Sequence, residues 1–360
     1  MREGLIEIDG SRGEGGGQIL RTSLALSMIT GKPLAMRRVR AGRAKPGLRR
    51  QHLTCVLAAA ELCNAEVEGA EVGSQTLAFR PGPLARGPVE LAIDIGTAGS
   101  TSLVVQTILV PAIVAGHALR ATIVGGTHNP MAPPFDFLDR VFLPILRQMG
   151  ADVRIVLDRH GFATGAGAAS GRRDFYDDET PHRGQLVLEV GPGSLRPIEL
   201  VDTTPIASRH ATSVIAKLPT HVADRELAVV QERLGWLAGE CEVRNVRDGG
   251  PANLLMLEVQ RAIGGELVSV FGEKGLPAEI VGDRACAEMQ RYLDADVPVG
   301  DHLADQLLLP MAVAGGGRFR CAPLSLHATT NIDTIQQFLD VPITVEAEGP
   351  GVIVTVGSRS

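Results

Sequence analysis

The chain has 360 residues, of which 44% are hydrophobic and 21% are charged, a composition typical of folded globular proteins. Its formal net charge of −6 argues against a protein that coats nucleic acid through bulk positive charge, and its aromatic content of 3% argues against a platform of stacked bases. The five cysteines form no CxxC pair, so a zinc site, a redox dithiol and a disulfide framework all lack support.

No feature of the sequence points to a membrane or to export. The amino-terminal residues lack the apolar segment of a signal peptide. The longest apolar run, residues 108–114, is interrupted by Pro111 and is too short to cross a bilayer. We therefore expect a soluble, cytoplasmic protein with no membrane partner.

Three segments share one pattern, in which a loop rich in small residues leads into an apolar helix that stops at glycine. They begin near residues 13, 96 and 300. The apolar spacing predicts that a short strand, a polar loop, a second helix and a closing strand follow each of them. This alternation predicts an α/β fold of three repeated units, each with helices on one face of a small sheet.

The third unit begins much later than the spacing of the first two units would give, which indicates an insertion. We expect a main domain formed by residues 1–185 and 278–360, and a smaller inserted α/β domain at 186–277. The apolar patterns within the insertion predict two helices, at 205–217 and 222–234, and two strands, at 254–260 and 266–271.

The equivalent loops of the three units should cluster at one end of the body, where we look first for chemistry. The first of these loops, residues 12–18, opens a helix with glycines that can turn backbone N–H groups toward an anion. It is not a P-loop, because no Lys-Ser or Lys-Thr pair follows it. Gln18 and Arg21 share one face of the helix. A glycine-rich turn without any ligand is the alternative interpretation.

An arginine-rich segment, residues 37–52, carries seven Lys and Arg residues and no acid, in a chain whose net charge is negative. Planar guanidinium groups suit bidentate contacts to phosphate. The segment therefore favours phosphate or RNA binding over a solvated cationic loop.

Two further features lie in the second unit. Gln106 is a polar amide in an otherwise almost wholly apolar helix, so it either bonds to neighbouring backbone or contacts a ligand. The second loop, residues 125–134, is stiffened by prolines, which either form a flat wall beside a base or only begin a helix.

The third unit adds a polar helix start and a histidine. His302, Asp305 and Gln306 lie at the beginning of its first helix, where an acidic residue is favourable on dipole grounds alone. His327 is flanked by hydroxyl side chains and an amide, in the loop equivalent to the arginine-rich one. This position makes it a candidate nucleophile or general base.

Five motifs, taken together and in order, resemble the RNA 3′-terminal phosphate cyclase family. They are GEGGGQILRTSLALS, RAGRAKPGLRRQHL, GGTHNPMAPPFDFL, VGDHLADQLLLPMAVAG and LSLHATTNI, and the resemblance extends from residue 8 to about 340. The resemblance implies three repeated α/β units with a smaller domain inserted before the last. It also implies ATP-dependent conversion of an RNA 3′-terminal phosphate to a 2′,3′-cyclic phosphate, through a covalent histidine–AMP intermediate and an adenylylated RNA end.

The resemblance further implies roles for individual residues. His327 would be the adenylylated histidine, and Glu14 would contact a divalent metal, Mg or Mn. The expected adenosine and ribose contacts are Gln106, Pro130, His302, Asp305 and Gln306. The expected phosphate and RNA contacts are Arg21, Arg40, Arg43 and Gln51. The implied cofactors are ATP and the metal, and the implied partner is an RNA with a 3′-phosphate end.

The chain departs from the family pattern after residues 159–162. Where the family usually continues with proline and three glycines, the chain reads ATGAGA at residues 163–168. We expect the adenylylation pocket to be unaffected and the RNA-facing side to differ in substrate range or efficiency.

Two other functions are alternatives to this one. A non-catalytic relative that serves in ribosome assembly or RNA processing would lack the histidine, so His327 argues against it. An enolpyruvyl-type transferase of similar repeat fold would need a different Lys and Arg set and a longer chain. The sequence leaves open whether the chain forms a homodimer and whether it also adenylylates 5′-phosphates.

Overall fold

The computed structural model describes residues 4–162 and 183–358. The first unit is a four-stranded sheet with a helix pair on one face. Its elements are β1 (Ile6–Asp9), α1 (Gly17–Thr30), β2 (Leu34–Arg37), α2 (Arg50–Cys63), β3 (Glu66–Glu68) and β4 (Thr76–Arg80). The strand order is β1-β2-β4-β3, in which β1 and β2 are parallel and the other pairs are antiparallel.

The second unit repeats this topology. Its elements are β5 (Val89–Asp94), α3 (Thr101–Ala115), β6 (Leu119–Gly125), α4 (Phe135–Phe137), a π-helical turn (Leu138–Phe142), α5 (Leu143–Gln148), β7 (Val153–Arg159) and β8 (Gly184–Val190). The order β5-β6-β8-β7 again begins with one parallel pair. Almost every side chain of α3 is buried, which explains why its sequence is a nearly continuous apolar run.

The third unit has the same order, β9-β14-β16-β15, but is interrupted after its first strand. Its elements are β9 (Glu199–Leu200), α8 (Asp301–Ala314), β14 (Gly317–Cys321), α9 (Leu326–Phe338), β15 (Ile343–Glu348) and β16 (Gly351–Val356). The pair β9 and β14 is parallel, as β1–β2 and β5–β6 are. The predicted threefold α/β repeat is therefore confirmed.

The helices α3 and α8 confirm the correspondence between units in detail. Pro111 lies inside α3 and Pro310 inside α8, each five residues before the glycine that ends the helix. Those glycines, Gly116 and Gly315, have φ angles of 69° and 85°, in the left-handed region where glycine is favoured. One buried apolar core runs through all three units.

The inserted segment lies between β9 and α8 and has a sheet and two long helices of its own. Its elements are β10 (Ile206–Ala216), α6 (His221–Leu234), β11 (Cys241–Val246), β12 (Ala252–Arg261), β13 (Gly265–Phe271) and α7 (Ala278–Ala295). The order is β11-β10-β12-β13. The predicted helix at 222–234 and both predicted strands are confirmed.

The helix predicted at 205–217 is wrong, because this segment is β10, an inner strand between β11 and β12. Residues 211–216 are buried without interruption. One face of the strand, with Val214, joins the main core, and the other, with Ala211, joins the core under α6 and α7. A strand that is covered on both faces loses its alternating pattern and resembles a buried helix.

Two observations argue against the expected limits of the insertion, 186 and 277. Strand β8 pairs with β6 and β7, so the first limit cuts through a strand of the second unit. Helix α7 packs in the small core with the inserted sheet, so the second limit separates it from the elements it covers. We place the insertion between β9 and α8 instead.

The inserted sheet is also joined to the main body. Val299 forms parallel bridges to Gly265 on one side and to Cys321 on the other, which links β13 to β14. The departure at residues 163–168 lies outside the described residues. Within the described ranges, no helix is long and apolar enough to span a membrane.

Candidate active site

His327 lies in the first turn of α9, with its side chain about half exposed (55%). The helix begins at Ser325, whose hydroxyl accepts a hydrogen bond from the backbone N–H of Ala328 at 3.2 Å. The buried residues Ala328, Ile332 and Ile335 fix the opposite face of α9 in the core. The histidine is therefore held on a rigid element while its ring remains accessible.

A side chain from the first unit orients this ring. Helix α1 packs against α9, which brings Gln18 next to His327. Nδ1 of His327 lies 2.9 Å from Oε1 of Gln18, and the amide nitrogen of Gln18 donates to Oδ1 of Asp305. An ionised Asp305 can only accept, so the amide oxygen of Gln18 faces the ring and accepts a hydrogen bond from Nδ1–H. The Nε2 lone pair is thereby left free.

Asp305 is itself fixed by a second amide. Asn331 of α9 donates through Nδ2 to Oδ1 of Asp305 at 3.0 Å, and its own Oδ1 accepts from Thr22 of α1 at 2.9 Å. Burial raises the pKa of Asp305, and His327, Gln18 and Asn331 oppose that rise by favouring the charged form. Helices of the first and third units are thus joined by one polar network beneath the histidine.

Glu14 lies on the other side of the ring. Its Oε1 is 4.0 Å from Nε2 of His327 and also forms an ion pair with Arg43. The backbone N–H of Glu14 donates to the hydroxyl of Thr330 at 3.1 Å, which ties the first loop to α9. The predicted clustering of the first loop, the arginine-rich segment and the His327 loop is seen in these contacts.

The surroundings keep His327 in its neutral form. Burial lowers the pKa of His327, Asp305 opposes this effect, and the positive charges of Arg43 and Arg21 lower it further. A neutral imidazole with an accessible Nε2 has the lone pair that nucleophilic attack needs.

Part of the arginine-rich segment lies next to the glycine-rich loop. His52 is buried among arginines, and burial followed by the charges of Arg40 and Arg21 keeps its pKa well below its ordinary value. A Cβ at Gly17 would overlap the His52 ring and lie 3.1 Å from Nη1 of Arg21. The guanidinium of Arg40 donates to the backbone carbonyls of residues 45 and 47 and so shapes its own loop.

Gln51 lies further from the surface than a phosphate contact would suggest. It is 4% exposed, and its Oε1 accepts from the backbone N–H of Ser100 at 3.0 Å. Ser100 is the residue that begins α3. Gln51 therefore connects the arginine-rich segment to the start of the second unit's first helix.

Buried hydrogen bonds hold the second loop, residues 125–134, in place. Asn129 is buried and donates to the carbonyl of Ala98 at 2.6 Å, while His128 donates to Asp136 at 3.0 Å. Pro130 and Gln106 are partly buried. Within the described residues, no hydrogen bond joins Gln106 or Gln306 to the network around His327, so these expected contacts are not tested by the geometry.

His302 is exposed at the start of α8, and its neighbours come from the inserted segment. Its Nε2 lies 3.6 Å from Oε1 of Glu288 on α7. The nearby carboxylate of Glu288 raises the pKa of His302, the partial desolvation of the ring opposes this, and the charge of Glu266 in β13 adds to the rise. These contacts connect the start of α8 to the inserted segment.

Sequence reasoning did not assign Gln18, Asn331 or Glu266 to the site. Gln18 lies at the end of the glycine-rich loop, and Asn331 follows His327 by four residues. The signal that could have identified them was a polar amide close to a candidate catalytic group. Glu266 is an isolated acidic residue in the apolar strand β13, and nothing in the local sequence linked it to the site.

Comparisons with known proteins identify the family of the chain. The profile of the family described as "RNA 3'-terminal phosphate cyclase" matches residues 12–345. The chain is 47% identical over 346 residues to a protein of that name from Ectopseudomonas mendocina, covering 95% of each chain. It is 42% identical to one from Koribacter versatilis, over 96% of this chain and 92% of the relative, and 44% identical to one from Salmonella enteritidis, over 98% of each. The chain is therefore an enzyme of the RNA 3′-terminal phosphate cyclase family, to which it belongs over nearly its whole length.

Proposed function

We propose that this chain converts the 3′-terminal phosphate of an RNA to a 2′,3′-cyclic phosphate at the expense of ATP, with His327 as the covalent nucleophile. The observation that carries the proposal is the contact between Nδ1 of His327 and Oε1 of Gln18 at 2.9 Å. This contact favours the tautomer in which Nε2 is unprotonated and its lone pair is available for attack.

In the first step, the Nε2 lone pair attacks the α-phosphorus of ATP. A phosphorus–nitrogen bond forms while the bond from that phosphorus to the bridging oxygen breaks, and pyrophosphate leaves. As Nε2 bonds to phosphorus the ring becomes positively charged while Nδ1 keeps its proton, and the hydrogen bond to Gln18, with Asp305 behind it, stabilises that charge. Covalent catalysis of this kind divides one difficult step into easier ones.

In the second step, an oxygen of the RNA 3′-phosphate attacks the phosphorus of the His327–AMP adduct, and the phosphorus–nitrogen bond breaks. In the third step, the neighbouring 2′-OH attacks the 3′-phosphorus and loses its proton, and AMP leaves. The cyclic phosphate forms only because AMP turns an oxygen of the 3′-phosphate into a leaving group.

Charge at the site suits a triphosphate and an RNA end. Arg43 lies beside Glu14 and His327, and the charge of Arg21 reaches the same ring. Guanidinium groups stabilise the negative charge that develops on transferring phosphates. We assign Arg21, Arg40 and Arg43 to phosphate binding, and His302, Asp305 and the start of α8 to the nucleotide.

A divalent cation fits the residues near His327. Oε2 of Glu14 is buried and has no hydrogen-bond partner among the described residues. Within the same ranges, no group of three or more His, Cys, Asp or Glu side chains could hold a metal alone. Mg²⁺ often binds through one carboxylate together with substrate phosphates, so Glu14 and the nucleotide would share it. Such an ion would offset the charge of the triphosphate.

The direct test uses a short RNA with a labelled 3′-phosphate and an otherwise identical RNA with a 3′-OH. We expect ATP to make the 3′-phosphate resistant to phosphatase, and the RNA with a 3′-OH to remain unchanged. His327→Ala should abolish the conversion, and His117→Ala, which changes an exposed histidine outside the site, should not. A protein that binds this RNA but never protects its phosphate would instead support a non-catalytic role in RNA processing.

A further inference from the structure

The inserted segment touches the first turn of α8 at a glycine that the backbone does not require. Gly300 precedes α8 with a φ of −77°, a conformation open to any residue. A Cβ at this position would overlap the carboxylate of Glu266 and lie 3.1 Å from its Cγ. The space that glycine leaves is therefore filled by a side chain from β13.

Glu266 is fixed from both ends. Its backbone follows Gly265, which is bridged to Val299, and Val299 is bridged to Cys321 of β14. Its side chain is 4% exposed, and Oε1 accepts from the backbone N–H of Leu267 at 2.8 Å. A carboxylate held here faces the partial positive end of α8.

A second carboxylate approaches the same turn from α7. Oε1 of Glu288 lies 3.6 Å from Nε2 of His302. The charged groups that face Glu266 are His302 and Asp301 of α8 and Glu288 of α7. One helical turn further along α8, Asp305 holds the Gln18 amide that orients His327. The inserted segment therefore contacts the helix that joins the expected nucleotide contacts to the nucleophile.

We propose that Glu266 and Glu288 are positioning residues for the nucleotide site: together they fix the first turn of α8 and the ring of His302, so that the inserted segment sets the affinity for ATP. This inference rests on the proposed function for the role of His302. The carboxylate of Glu266 packs against the backbone at Gly300 and so fixes the start of α8, whereas Glu288 contacts the His302 imidazole and so orients that ring.

The first experiment does not depend on catalysis. Proton NMR titration of His302, assigned by the loss of its signal in His302→Gln, is compared between the wild type, Glu266→Gln and Glu288→Gln. We expect both substitutions to lower the midpoint by about one pH unit, because each removes a negative charge that favours the imidazolium. Glu279→Gln, on the same helix α7 but paired with Arg225, should leave the midpoint unchanged.

The second experiment measures formation of the His327–AMP adduct without RNA. Glu266→Gln and Glu288→Gln should each raise the ATP concentration that gives half the maximal adduct rate (here KM) by about tenfold, while the maximal rate constant of this single turnover (here kcat) stays within about twofold, the result expected when a charge-assisted contact is lost in binding. Gly300→Ala should raise KM further because its Cβ displaces the carboxylate. Gly300→Ala/Glu266→Ala should return to the KM of Glu266→Ala alone.

The outcomes separate the two claims. An unchanged His302 midpoint in both glutamine variants, or an unchanged KM, would overturn the positioning role. An equal loss of kcat in both variants, together with a lower melting temperature, would also overturn it, since that pattern marks general destabilisation. A wild-type protein that forms no adduct would contradict the proposed function, while the His302 titration would still decide the positioning role.

Discussion

Oε1 of Gln18 lies 2.9 Å from Nδ1 of His327, although the two residues come from opposite ends of the chain. The contact exists because α1 of the first unit packs against α9 of the third. Asp305 of α8 accepts a hydrogen bond from the amide N–H of Gln18, so the amide oxygen of Gln18 points toward the His327 ring. The repeat architecture thus brings three helices together to fix one tautomer of one histidine.

Gln18→Leu should slow formation of the His327–AMP adduct by about 10- to 100-fold, the range seen when the group that orients an active histidine is lost. The ring would then be free to present either nitrogen, so the loss should fall mainly on kcat. Stopped-flow or quench-flow measurement of adduct formation checks this. Gln75→Ala, which changes an exposed glutamine, is the control. A wild-type rate in Gln18→Leu would contradict the role of Gln18.

The pH dependence of the same step follows from the lowered pKa of His327. Its folded pKa lies below the ordinary histidine value, so Nε2 is already neutral near pH 7 and the rate should be flat from there upward. As the pH falls through the folded pKa, protonation removes the lone pair and the rate should fall.

Arg43→Ala should move the acidic limb of this profile to higher pH, because removing a nearby positive charge raises the pKa of His327. Arg154→Ala, an exposed substitution on β7, should leave the limb in place. The measurement is the adduct rate at saturating ATP across the acidic range. A limb that moves to lower pH in Arg43→Ala would contradict the electrostatic explanation.

Gln51→Ala should act mainly on stability. Its Oε1 accepts the N–H of Ser100 in a buried position, so truncation leaves that donor unpaired and should cost about 1–3 kcal/mol in unfolding free energy. Denaturant unfolding measures this cost. A variant that keeps full stability but loses RNA-dependent steps would restore the direct RNA contact that the sequence suggested.

Asp136 should stabilise the junction between the second unit and the insertion. It accepts from His128 at 3.0 Å and lies 3.2 Å from both Arg140 and Arg244, the latter from β11. Burial opposes its ionisation, but the hydrogen bond from His128 and the charges of His128, Arg140 and Arg244 outweigh that effect and hold its pKa far below the ordinary value. Asp136→Asn should therefore lower the unfolding free energy by about 3 kcal/mol at neutral pH.

The sign of the pH effect is a further check on Asp136. A depressed folded pKa gives stability that is present above the ordinary carboxyl pKa and is lost as the pH falls toward the folded value. The difference between the wild type and Asp136→Asn should therefore shrink when urea unfolding is repeated at acidic pH. A difference that grows on acidification would contradict the ion-pair explanation.

Local patterns were enough to predict the repeat, because apolar periodicity is a local property of the sequence, but they placed His327 in a loop and the structure places it in the first turn of α9. They were not enough for β10, which is covered on both faces, or for β9, a strand of two residues that is separated from the rest of its unit. The role of Gln18 depends on the packing of α1 against α9, and no spacing in the sequence encodes that contact. The limits of the insertion likewise depend on tertiary contacts, namely the pairing of β8 with β6 and the packing of α7 on the inserted sheet.

The account depends most on covalent attack by Nε2 of His327 on ATP. Incubation with ATP labelled at the α-phosphate, followed by denaturation and peptide mapping, tests this most directly. We predict one labelled peptide that contains His327, with a bond that is labile in acid and stable in base, as a phosphoramidate is, and no label in a folded His327→Ala protein. Label that persists in His327→Ala, or an acid-stable ester on Ser325 or Thr329, would contradict the account.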